Sequence, residues 1–141
     1  MNADDVNVNK IFSIAFKNHK ENNFSEAEKL YKKILKIDPS HFNSIFYLAS
    51  LLAFQKKNTE AKELLKKAIK IQPDNVSAHN NLGVLLLELG DYHGALSSLQ
   101  NATKIDSRHI SSKNNLSALL RSSHLRQINI KKNDNYNLKE L

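Results

Sequence analysis

The chain has 141 residues, 40% of them hydrophobic and 25% charged, which fits one packed domain rather than a disordered segment. It has no Cys, so a disulfide scaffold, a thiol nucleophile and any Cys-built zinc or iron–sulfur site are excluded, and with 3 Gly and 2 Pro it has too little turn punctuation for a many-stranded sandwich or barrel. The formal net charge of +7 raises nucleic acid or a membrane surface as a partner, and the charge has to be located before either is accepted. The start, Met1-Asn2-Ala3-Asp4-Asp5, lacks the basic and apolar parts of a secretory signal. The longest apolar runs, such as Val84-Leu85-Leu86-Leu87, fall far short of the ~20 residues that span a bilayer, so a cytoplasmic protein is expected.

In chain order the elements read as helix pairs at a period of 34 residues. Ala27, Ala61 and Ala95 stand one period apart, as do Pro39 and Pro73. Ile14, Leu48, Leu82 and Leu116 form a large apolar column, and Ala15, Ala49, Gly83 and Ser117 form a small one beside it. Tyr31, Leu65 and Leu99 make another, and Ile37, Ile71 and Ile105 each follow a Lys. In the middle unit the first apolar stripe is Ile45, Leu48, Ala49 and Leu52, and the second is Ala61, Leu64, Leu65 and Ala68. Turns are expected at Asn22-Asn23, Lys57-Asn58 and Gly90-Asp91, with Ser25 and Glu28 at capping-box spacing and Thr59 as a helix cap. Pro39 and Pro73 are expected to end the second helix of their units.

These columns resemble the tetratricopeptide repeat (TPR) family, whose signature runs W-x2-L-G-x2-Y, A-x3-F and P within 34 residues. The repeats fall at about 8–41, 42–75 and 76–109, and Leu116-Ser117 and Leu120 place a fourth first helix, a cap, at 110–125. The family Trp is absent, Asn18 stands where an aromatic is usual, and Ser107 replaces the third Pro. The resemblance implies an all-α, right-handed α-solenoid over residues 8–125, with residues 1–7 and 126–141 expected to be flexible ends. In the cap, Leu116, Leu119 and Leu120 are expected to face inward, and Ser111, Ser112, Lys113 and Arg121 to face water.

The same resemblance implies a concave groove lined by the first helices, where a peptide or partner segment binds. Carried onto this sequence, the groove columns hold Asn9, Phe12, Ser13, Phe16 and His19, then Asn43, Phe46, Tyr47 and Ser50. They continue with Ser77, Asn80, Asn81 and Val84, and end with Ser111, Asn114, Asn115 and Ala118. The early half is aromatic. The later half repeats Asn-Asn, and because an amide both donates and accepts, it can pair with an extended backbone without reading its sequence. The Asn81/Asn115 column resembles the asparagine ladder of O-linked N-acetylglucosamine transferases. A carboxylate clamp for chaperone tails needs cations, and its columns here hold Phe12, Phe16, Tyr47, Ser77 and Asn81, which disfavours that ligand.

Lys29, Lys32, Lys33 and Lys36 recur as Lys62, Lys66, Lys67 and Lys70, a basic stripe on the outer helices, with Glu28–Lys32 and Glu63–Lys67 as i,i+4 pairs. Residues 40–73 (six Lys, two acids) carry +4, and residues 74–107 (one Lys, four acids) carry −3. Residues 1–39 carry +1 and residues 108–141 (seven Lys and Arg, two acids) carry +5, so most of the excess lies in the second unit's outer helix and in the cap and tail, and nucleic-acid and membrane binding are disfavoured. No phosphate loop, no His-Glu-x-x-His pattern and no nucleophile triad can be singled out, so no cofactor, metal or small-molecule substrate is expected. The reading that results is a non-catalytic adaptor for a protein partner, with self-association through the same surface as a variant. One alternative is the docking domain of a larger glycosyltransferase or sulfotransferase. Another is a basic adaptor on RNA or a membrane surface.

Overall fold

A computed structural model describes the backbone of residues 3–137 and the side chains of residues 7–123. Among the described residues every regular element is an α-helix: α1 Ala3–Lys20, α2 Phe24–Ile37, α3 Phe42–Phe54, α4 Asn58–Ile71, α5 Val76–Glu88, α6 Tyr92–Ile105 and α7 Ile110–Asn137. Each helix packs on the next in sequence, and α3 also touches α5 and α5 touches α7. This is the neighbour-only contact pattern of a solenoid.

The helix pairs close where the small column meets the large one. Ala15, Ala49, Ala27, Ala61 and Ala95 are fully buried, and Tyr31, Leu65 and Leu99 fill the space between paired helices. The two unbranched columns therefore set the distance between helices, and the leucines supply the apolar area.

The turns inside each pair follow one design. Asn22, Lys56 and Gly90, spaced by 34, all have positive φ, at 63°, 62° and 77°. The residue after each donates its N–H back five residues, Asn23 to Asn18, Lys57 to Leu52 and Asp91 to Leu86, at 2.9 Å each. A left-handed residue with this 6→1 bond is the Schellman ending of a helix.

The helix starts differ from the sequence expectation. Helix α2 begins at Phe24 with Asn23 at its cap, and α4 begins at Asn58 with Lys57 at its cap, and neither cap side chain bonds the helix. Ser25 and Thr59 therefore lie inside the first turn and are not caps, because the Schellman turn sets the entry point. Glu28 is spent on Lys32 and Lys57, at 2.6 and 3.4 Å, rather than on a capping box. The side-chain caps are His41, Asn75 and Asp91, which accept from the backbone N–H of Ser44, Ala78 and Gly94. His109 does the same for Ser112.

Four further expectations are corrected. Ser112, expected to face water, is wholly buried, with its hydroxyl 2.6 Å from His109 Nδ1. Ile14 is 46% exposed although its column partners Leu48 and Leu82 are buried, and Leu120 is 51% exposed rather than turned inward. Among the described residues no repeat precedes Ile14 and no second helix lies over Leu120, so each lacks the neighbour that buries its column elsewhere. Glu63 pairs with Lys66 at 3.3 Å, not with Lys67. Helix α1 starts at Ala3, and α7 continues past residue 125, the expected end of the cap, to Asn137. No Pro or Gly follows Gly94, so neither breaker interrupts α7. Residues 138–141 lie outside the described residues.

Candidate functional site

The first helices α1, α3, α5 and α7 carry all the groove residues expected from the sequence. At the α1–α3 end, Phe12, Phe16 and Tyr47 meet as one aromatic cluster. Phe16 and Tyr47 have ring centroids 4.9 Å apart, Phe12 lies 6.0 Å from each, and Phe46 stands edge-on to Tyr47 at 5.4 Å. All four are half-buried, so each ring has one side in the fold and one at the surface. Tyr31 stacks under Tyr47 from α2, and Phe42 stacks on Phe46. The rings thus join repeat one to repeat two as well as lining a surface.

His19 closes one edge of the cluster. Its Nδ1 is 3.3 Å from the Tyr31 hydroxyl, and its ring meets Phe24, Tyr31 and Tyr47 edge-on. Burial among these rings holds the His19 imidazole below its usual range. Burial also pushes the Tyr31 phenol well above the usual tyrosine range, and Tyr47 adds to it.

At the other end the amides are partly spent within the protein. The Asn115 side chain donates to Asn80 Oδ1 at 3.0 Å and so ties α7 to α5. The Asn81 side chain donates to Ser50 Oγ at 3.4 Å, and the Ser50 hydroxyl donates to the Phe46 carbonyl. Asn80 is buried, and the Asn115 amide of α7 lies against it. It is withdrawn from the surface on which the sequence places it. Asn9, Asn43, Ser77 and Asn114 are exposed along the same helices, and Asn81, Asn115, Ser50 and Val84 are half-buried.

Between the aromatic and amide ends lies a cavity of about 380 Å³, lined by Ser50, Ala53, Phe54, Lys56, Leu65, Asn81, Val84, Leu85 and Glu88. The fully buried Leu65 of α4 sets its depth. Lys56 and Glu88 pair at 3.0 Å across the ends of α3 and α5, so the charges at the rim cancel. Ser50, Asn81 and Val84 are groove candidates from the sequence that line this cavity, whereas Phe54, which is 71% exposed, is not among the sequence candidates. The signal was present: one period either side of Phe54 stand Lys20 and Glu88, so Phe54 is an apolar residue in a charged column.

The outer basic stripe forms a separate shallow hollow on α2, lined by Ser25, Glu28 and Lys29, Lys32, Lys33 and Lys36. Lys29 pairs with Glu26 at 3.6 Å, and Glu28 takes Lys32 and Lys57. The hydrogen bond from Lys32 is the main cause holding the Glu28 carboxyl below its usual range. No group of three or more residues able to hold a metal occurs among the described residues, and no described helix is long and apolar enough to cross a membrane.

Comparison with known proteins agrees with this architecture. The structure superposes on the Thermobaculum terrenum O-GlcNAc transferase, in a mutant form, with a TM-score of 0.79 and 22% identity over 85% of this chain and 23% of that one. The chain thus spans about a quarter of that enzyme. The TPR domain of Sgt2 from Aspergillus fumigatus gives 0.78 and 20% identity over 86% of this chain and 82% of that domain. The first TPR domain of Spaghetti (RPAP3), bound to an HSP90 peptide, gives 0.79 and 17% identity over 83% and 93%. No curated protein matches the sequence significantly. The family model described as "Anaphase-promoting complex, cyclosome, subunit 3" matches residues 20–102, more than half of the chain. The protein is therefore a tetratricopeptide-repeat solenoid and belongs to that family.

Proposed function

We propose that this chain is a non-catalytic interaction module that holds an extended segment of a partner protein along the face formed by α1, α3, α5 and α7. The observation that carries the reading is the run of surface chemistry on these helices. It starts with half-buried rings at Phe12, Phe16, Phe46 and Tyr47, passes a charge-neutral apolar cavity beside Val84, and ends in amides at Asn81, Asn114 and Asn115. Rings and cavity supply apolar area, and the amides offer donors and acceptors to a peptide backbone. Asn80 is left out of this role because Asn115 already occupies its carbonyl. The matching family takes its name from a subunit of a multiprotein complex, which suits a protein as the partner. The HSP90 peptide of the Spaghetti domain is not carried over, since Phe12, Phe16 and Tyr47 stand where a carboxylate clamp needs cations.

The test is capture from the native cell with the intact chain and with a Phe16→Ala, Tyr47→Ala double variant whose helicity and melting are checked. The intact chain is expected to enrich one or a few proteins, identified by mass spectrometry, that the folded variant loses. Equal recovery by both would remove the reading. A second reading, docking domain of a larger transferase, is favoured by the Asn81/Asn115 column and the likeness to the O-GlcNAc transferase. It predicts a transferase sequence in the same reading frame.

A further inference from the structure

In repeats one to three the first helix is covered by the second helix that follows it, but no helix follows α7 among the described residues. Residues one period apart show the contrast with α3 and α5, which also have a repeat before them; on α1, Ile11 and Ala15 are buried and Ile14 is exposed. On α3, Ile45, Leu48, Ala49 and Leu52 are all buried, and on α5 so are His79, Leu82, Gly83 and Leu86. On α7 the same four places hold Lys113, Leu116, Ser117 and Leu120. There Leu116 is half-buried and the other three are exposed. Leu119, which points back into the solenoid, is buried. The small residue at 117 matches Ala49 and Gly83, whose size matters because a second helix lies on them. A Cβ on Gly83 would stand 2.6 Å from Leu99 Cγ. At Ser117 no described residue fills that slot.

We propose that this face of α7 docks one amphipathic helix from a partner protein, a helix with acidic residues beside its apolar stripe. The apolar part of the occupant follows from the protein's own pattern. On α5 the covering helix brings Ala95 and Leu99, four residues apart, over Gly83, so the docked helix needs a small residue and a large apolar one at the same spacing over Ser117. The acidic part follows from what α7 changes. His79, the counterpart of Lys113, lines a cleft with Asn101, Lys104 and Ile105 near the end of α6. An acid at those places on the docked helix meets the Lys113 ammonium. At the other end of the face stands Arg121, where the start of an antiparallel helix arrives, and acids suit a helix start. Both cations are exposed, and no ion pair among the described residues engages them. A second copy is the poorer occupant: two α7 faces related by a two-fold axis set Lys113 against Arg121, cation against cation.

The test uses the intact chain and two stapled helical peptides, one with the sequence of residues 91–105 and one with Asn101→Glu and Lys104→Glu in that sequence. The acidic peptide is expected to bind about tenfold more tightly in fluorescence anisotropy. In the protein, Leu120→Glu is expected to abolish binding. Lys113→Glu is expected to remove the preference for the acidic peptide while leaving the melting temperature unchanged. Equal affinity for the two peptides, or an acidic-peptide affinity indifferent to Lys113→Glu, overturns the proposal. Concentration-dependent dimers in sedimentation that Leu120→Glu abolishes would also overturn it, by giving the face to a second copy.

Discussion

His19 shows how much one residue's environment depends on residues far along the chain. In sequence it is a histidine near the end of a helix. In the fold it is enclosed by Tyr31 of α2, Phe24 at the start of α2 and Tyr47 of α3. Burial favours the neutral imidazole in the folded chain, whereas the unfolded chain takes up a proton near the ordinary value of 6.5. Below that value the unfolded state binds more protons, so stability is present above it and is lost as the pH falls. Thermal melts from about pH 7 down to about pH 5 are expected to show a falling melting temperature, and His19→Gln is expected to flatten that fall. An unchanged slope in the variant would place the sensitivity elsewhere. The aromatic residues around His19 were legible as groove candidates, but their mutual contacts were not. Phe12 and Phe16 were placed by helical spacing. That Tyr31 reaches under both Tyr47 and His19 depends on how α2 lies between α1 and α3.

At the scale of the helix pair, the small columns were readable because they recur at one period and because close helices demand them. Gly83 gives the sharpest case. An added methyl gains up to about 1 kcal/mol of helix propensity. Its Cβ would stand 2.6 Å from Leu99 Cγ and 2.8 Å from Cδ2, and Leu99 is wholly buried. Overpacking costs about 1–3 kcal/mol, so the clash outweighs the propensity gain. Gly83→Ala is expected to lower the melting temperature by about 2–4 °C, and Gly83→Ala with Leu99→Val to lose less than the two single changes added. Calorimetry on the four proteins checks both statements. The helix starts were less readable, since Ser25 and Thr59 look like caps by residue type. The left-handed residues Asn22 and Lys56 decide where α2 and α4 begin, and neither is a Gly that would have marked the place. Only Gly90 carried that signal in the sequence.

At the scale of the molecule, the net charge of +7 separates from the candidate binding face. The Lys stripe lies on α2 and α4, where Glu26, Glu28 and Glu63 neutralise part of it, while Lys56 and Glu88 cancel at the cavity rim. A partner held by rings and amides is expected to lose less than about tenfold in affinity between about 50 and about 200 mM salt. A nucleic acid gripped through 6–10 phosphates would lose about 10³–10⁵. Titration of the captured partner at the two salt levels separates these cases. By itself the sequence determined the repeat, the number of helix pairs and which columns are small, large or polar, because a 34-residue period copies local packing rules into every unit. Tertiary structure alone decided three things: that Asn80 is consumed by Asn115, that Phe54 opens a cavity with Val84 and Leu65, and that α7 keeps a face which no described residue covers. The physical reason is the same in each case. These outcomes depend on which helix lies beside which, and a column of residues states what one helix offers but not what its neighbour takes up.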